Sequence, residues 1–188
     1  MEGRGLTILP THRLVSGLKN LDKEGYLTRI EKFFSVMEFP LSGGEQWALD
    51  MLMEGMKKLG TKSRVYGLAF IEDRAYYLLA VKEREFMSEE VTEKFRGISA
   101  PLRDLDVTVL HSFLLPELAS GENPSLQYVH RAEEAISAIK GGSAQVAFLL
   151  NPTRISQITC VTEAGEVMPP KSTYFYPKLL SGLVLRPF

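Results

Sequence analysis

The sequence predicts an α+β fold: a mixed or mainly antiparallel sheet with about five to six helices packed on it. Three observations carry this. Residues 43–59 bear an apolar helical stripe, Ala48, Met51, Leu52, Gly55, Met56 and Leu59. Residues 64–71 and 76–81 are two β-rich runs separated by Glu72-Asp73-Arg74-Ala75, which reads as a hairpin. The strands and helices also follow no regular βαβ order.

Taken along the chain, residues 6–9 read as a short buried strand stopped by Pro10. Residues 22–33 form a helix with Leu27 and Ile30 on one face, and 34–39 a strand ending before Pro40. Ser42 and Glu45 have the spacing of a capping box for the helix over 43–59, and Gly60 is placed to end it. Ser88 is a cap for a short helix reaching Phe95. Residues 101–115 form another helix, with Leu102, Leu105, Val109 and Phe113 on one face and His111 as a core histidine. A strand over 126–129, a helix through Ala132, Ala135, Ile136 and Ile139, and a buried strand over 145–150 follow. Pro152 suits the first turn of a helix reaching about Ala164, because its missing amide would be unpaired there. That helix buries Cys160, and residues 182–185 are a final strand. Residues 1–188 are read as a single α+β domain.

The net charge of −1 creates no general attraction for nucleic acid or an anionic membrane. No run of about 18 apolar residues would cross a bilayer. One cysteine excludes an internal disulfide, and the opening residues lack the apolar core of a signal peptide, so a cytoplasmic setting is expected. The three histidines have no metal-ligand spacing, which disfavours zinc.

Two polar segments are candidates for ligand binding. Thr11, His12 and Arg13 follow the first strand as a loop. There His12 can titrate near neutrality, and Arg13 can grip a phosphate or carboxylate with two parallel bonds. Lys171, Ser172, Thr173, Tyr174 and Lys178 lie in a proline-bounded stretch that supplies charge and hydroxyl donors for an anion. Each also has an ordinary structural explanation: a surface loop in the first, tyrosines packed on the core in the second. His130-Arg131, where a strand passes into a helix, is a weaker candidate.

Three stretches together resemble the domain of unknown function 1015 family: Leu6-Thr7-Ile8-Leu9-Pro10-Thr11-His12-Arg13; Ala147-Phe148-Leu149-Leu150-Asn151-Pro152; and the segment from Gly165 through Pro169-Pro170-Lys171-Ser172-Thr173-Tyr174-Phe175-Tyr176-Pro177-Lys178 to Val184. The family usually has His-Asp where this chain has His130-Arg131. The resemblance is to the C-terminal half of the family's usual length. Full-length members carry an earlier Asp-Gly-His-His-Arg motif in a ParB/sulfiredoxin-like part, absent from this sequence. A fragment or split gene product is therefore expected.

Two functional readings follow. In the first, the domain offers an anion- or phosphate-binding surface, completed by an N-terminal ParB/sulfiredoxin-like domain or a partner chain. In the second, it is a phosphoryl-transfer, small-molecule-kinase-like enzyme in which Arg13 and Lys171 stabilise phosphate charge and His12 is a base. The first ranks higher, because no motif places a carboxylate to hold Mg²⁺. A purely structural or interaction domain is the third option. The cofactor is unknown.

Overall fold

The two apolar runs joined by the polar turn that follows Phe70 become adjacent inner strands of a six-stranded sheet. The computed structural model describes residues 6–178. In chain order the elements are β1 (Thr7–Leu9), β2 (His12–Ser16), α1 (Lys23–Glu31), β3 (Phe34–Pro40), α2 (Glu45–Leu59), β4 (Val65–Phe70), β5 (Ala75–Val81), α3 (Glu83–Phe86), α4 (Glu89–Lys94), α5 (Ala100–Arg103), α6 (Asp106–Val109), α7 (Leu115–Ala119), β6 (Ser125–Val129), α8 (Ala132–Lys140), β7 (Val146–Leu150), α9 (Ile155–Glu163) and β8 (Tyr174–Tyr176). The sheet order is β3-β5-β4-β7-β2-β6, and every pairing is antiparallel. β1 and β8 form a separate antiparallel ribbon. The fold is α+β, as the sequence predicts.

Strand alternation divides the core into two layers. On one face Val15, Tyr66, Leu68, Tyr77, Leu79 and Phe148 meet α1 and the helical run over 106–119. On the other, Leu14, Ala69, Leu78, Ala147 and Leu149 meet α2 and α8. The helical stripe read in α2 is buried through Ala48, Leu52 and Met56, while Met51 stays exposed.

Several local expectations are corrected. The capping box does not form: Ser42 lies in a 3₁₀ turn, Leu41–Gly43, and Gly44 occupies the N-cap. The Glu45 carboxylate instead accepts from the Tyr76 hydroxyl (2.9 Å) and the Lys140 ammonium (2.7 Å). The helix expected over 101–115 breaks before α6. It then carries a π-helical turn, Leu110–Leu114, immediately before Pro116, whose ring and missing amide disrupt the regular ladder. α9 starts at Ile155 rather than at Pro152. The intervening residues serve other contacts: Asn151 Nδ2 donates to the Met56 carbonyl (3.0 Å), and the Thr153 hydroxyl donates to the Ser172 carbonyl (2.7 Å). Cys160 is exposed, because α9 buries Val161 alone. β1 is peripheral, with Leu6 beside it exposed. The strand expected at 182–185 lies outside the described residues. No helix among the described residues is long and apolar enough to cross a membrane.

Gly67 lets α2 approach the sheet closely. A Cβ there would meet Met56 Sδ at 2.9 Å, Leu149 Cβ at 3.0 Å and Leu52 Cδ2 at 3.2 Å. Gly67→Ala should therefore destabilise the fold by about 1–3 kcal/mol through overpacking, read as a lower urea midpoint with an unchanged m-value.

Candidate functional site

Pro10 ends β1, and the chain re-enters the sheet at once. His12 and Arg13 are not in a surface loop: they open β2, which lies between β6 and β7. Thr11, His12 and Arg13 are 4%, 1% and 1% exposed. Flanking strands cover both edges of their backbone, and the side chains are buried as well.

The period of two sends His12 and Arg13 to opposite faces. His12 Nδ1 accepts the Leu150 amide (3.1 Å), so the ring is neutral there. Burial, then the charge on Arg13, then His130, lowers its pKa to about 4. Arg13 donates through Nη1 to the Thr11 carbonyl and through Nη2 to the Lys171 carbonyl (2.9 Å). Its guanidinium lies 5.4 Å from the ring centre of Tyr128, its register partner on β6. Desolvation lowers its pKa to about 10. No carboxylate pairs with it among the described residues, and its Nε has no hydrogen-bond partner.

Arg13 thus ties the start of the chain to the proline-bounded segment, and the two candidate stretches converge. Leu9 pairs with Tyr174 and Thr7 with Tyr176. The Tyr174 ring stacks on His130 (centroids 3.8 Å apart, 33° between planes), and His130 Nδ1 lies 3.0 Å from the Pro10 carbonyl. Lys171 takes φ 57° in a turn closed by the Ser172 amide donating to the Pro169 carbonyl (3.2 Å). Its ammonium stays exposed, 5.9 Å from the Tyr128 ring. Lys178 Nζ lies 5.0 Å from the Tyr174 ring. Lys171, Thr173, Tyr174 and Lys178 line an open cavity of about 490 Å³. Ser172 points the other way: it is 7% exposed and its hydroxyl is unpartnered.

Sequence reasoning missed Tyr128, on which two cations converge. The signal lay in β-pairing: Tyr128 is directly across from Arg13. It also missed a polar cleft of about 530 Å³ lined by Lys57, Lys62, Arg64, Asp106 and Arg154. Desolvation pushes the Asp106 carboxyl up to about 6, against the pull of Arg154 and Arg64. These residues come from distant parts of the chain, and no local pattern joins them. His111 is exposed in the π turn rather than in the core. Among the described residues no group of three His, Cys, Asp or Glu side chains is placed to hold a metal.

The model of a family described as "Protein of unknown function (DUF1015)" matches residues 1–108. Of the three stretches that carry the resemblance, only residues 6–13 lie within that match; residues 147–152 and 165–184 lie beyond it. No curated protein matches the chain. Among solved structures, a conserved hypothetical protein from Pyrococcus furiosus is 14% identical with a TM-score of 0.49, over 93% of this chain and 57% of that one. A free serine kinase in complex with AMP is 15% identical with a TM-score of 0.48, over 93% of this chain and 55% of that one. This chain spans little more than half the length of either, and these similarities are too low to transfer a ligand or a reaction.

Two outcomes test the anchoring roles of His12 and Arg13. The unfolded His12 binds a proton near pH 6.5 and the folded one near 4, so stability is lost as pH falls through that window. His12 should cost about 2 kcal/mol between pH 7 and pH 5, and His12→Gln should flatten that slope in urea titrations. Arg13→Met keeps the volume but removes the bridge. Hydrogen exchange at Ser172 and Thr173 should then quicken by about tenfold or more, while amides of β4 change little.

Proposed function

The chain belongs to the DUF1015 family of proteins of unknown function, a membership that fixes no activity, and we propose that it is a binding domain for a small anionic or phosphorylated ligand. The observation that carries this reading is positive charge without acidic compensation. Arg13 and Lys171 flank the Tyr128 ring and Lys178 lies over Tyr174, and none of the three pairs with a carboxylate among the described residues. An anion in the open cavity would meet Lys171 and Lys178 as mobile donors and the Thr173 hydroxyl as a neutral one. Arg13 contributes field from behind and fixes the turn; Thr11 and His12 support it from within. Ser172 sits under the turn. On this reading residues 1–188 act as one domain in a reducing cytoplasm. An N-terminal ParB/sulfiredoxin-like domain or a partner chain completes the site around Lys171, Lys178 and Thr173, which hold the anion on their own.

The phosphoryl-transfer reading is weaker, because His12 is 1% exposed with Nδ1 already engaged and cannot reach a substrate hydroxyl.

The test is calorimetric titration of the folded chain with inorganic phosphate and with AMP at low ionic strength. Binding should weaken about tenfold or more in a Lys171→Gln/Lys178→Gln double variant, and should fade in high salt. Binding unchanged by the double variant removes the site from this face of the molecule.

A further inference from the structure

Beside the anion-binding face lies a second, mostly apolar recess of about 380 Å³. Its walls come from Ile98, Leu102 and Val107 on one side and from Pro169 and Pro170 on the other. Thr108, His111 and Ser112 supply its polar edge. Their i, i+3, i+4 spacing puts all three on one helix face, and the π turn begins just after Thr108 and Val109. Such turns occur often at functional sites. Tyr128 closes the recess, so one ring is shared between this wall and the two cations Arg13 and Lys171.

Two features mark the recess as a built site. The first is the Thr108 hydroxyl: the residue is 8% exposed, and its Oγ1 is buried with no hydrogen-bond partner. Buried hydroxyls in native proteins are nearly always paired, so this one calls for a partner from within the recess. The second is size and lining. Ligand cavities begin near 300 Å³ and combine apolar walls with a few convergent polar groups. A benzene ring fits an apolar cavity of about 150 Å³. The His111 ring adds a neutral donor or acceptor: partial desolvation, then the Arg13 charge, lowers its pKa to about 4.

We infer that the anionic ligand carries an aromatic or heteroaromatic ring, which enters this recess between Leu102 and the Pro169-Pro170 wall while its phosphate or carboxylate faces Lys171. The Thr108 hydroxyl and His111 then read a polar atom on the ring. Tyr128 joins the two halves of the ligand. This rests on the anion-binding reading and deepens it by naming the ligand class.

The test compares phenyl phosphate with inorganic phosphate on the full chain. Phenyl phosphate should bind about tenfold tighter or more, because ring burial adds to the shared charge contact. Leu102→Trp, which fills the recess, should erase that gain and leave inorganic phosphate binding intact. On the wild-type chain, nuclear Overhauser effects should link the phenyl protons to the methyl groups of Ile98, Leu102 and Val107, a readout that needs no variant. Equal affinities for the two probes, or a phenyl ring that contacts none of those methyls, overturns the ring inference and leaves the anion reading standing. Failure of both phosphates to bind overturns both.

Discussion

The arrangement around the candidate site depends on one buried guanidinium. Arg13 enters the sheet interior without a carboxylate and spends its donors on two backbone carbonyls, those of Thr11 and Lys171. A lysine would reproduce this bridge poorly, because its three donors radiate from one atom, whereas the rigid guanidinium offers a separate nitrogen to each carbonyl. Desolvating a cation is expensive, and the measure of that cost is the fall in its pKa to about 10. The carbonyls, the Tyr128 face and the fixed position of the Lys171 turn are what the chain gains in exchange. Charge is left over at the end of this accounting, and it faces the same ring as the exposed Lys171 ammonium.

Much of the architecture was legible because most elements obey a simple period. The α2 stripe through Ala48, Leu52 and Met56, the hairpin of β4 and β5, and the apolar run of β7 bury what their spacing says they bury. β2 was not legible. His12-Arg13-Leu14-Val15-Ser16 puts polar side chains on both faces, so neither alternation nor a solid apolar run appears. His12 and one Arg13 nitrogen find their partners in distant backbone, at Leu150 and Lys171, which no local window contains. The same cause displaced the start of α9, where Asn151 and Thr153 are drawn to the end of α2 and to Ser172.

The candidate site was legible in part. Lys171, Thr173, Tyr174 and Lys178 do share one open surface, and the two ends of the described chain do meet in the β1–β8 ribbon. The expectation that Thr11, His12 and Arg13 present themselves to a ligand did not survive, because a polar tripeptide after a proline looks the same whether it faces water or the core. The family resemblance singled out stretches of sequence, but it could not say which of their side chains face outward.

The position of β2 also bears on how the polypeptide reaches its native form. Arg13 pairs with Phe148 on one side and with Tyr128 on the other. This strand therefore has both neighbours in segments far later in the sequence. Loop-closure entropy opposes such remote pairing, and high contact order slows folding. Until β6 and β7 emerge from the ribosome, β2 has no sheet to join and its cation remains hydrated. Closure of this half of the sheet thus waits until β6 and β7 have been made, and the Lys171 turn, made later still, completes the withdrawal of Arg13 from water.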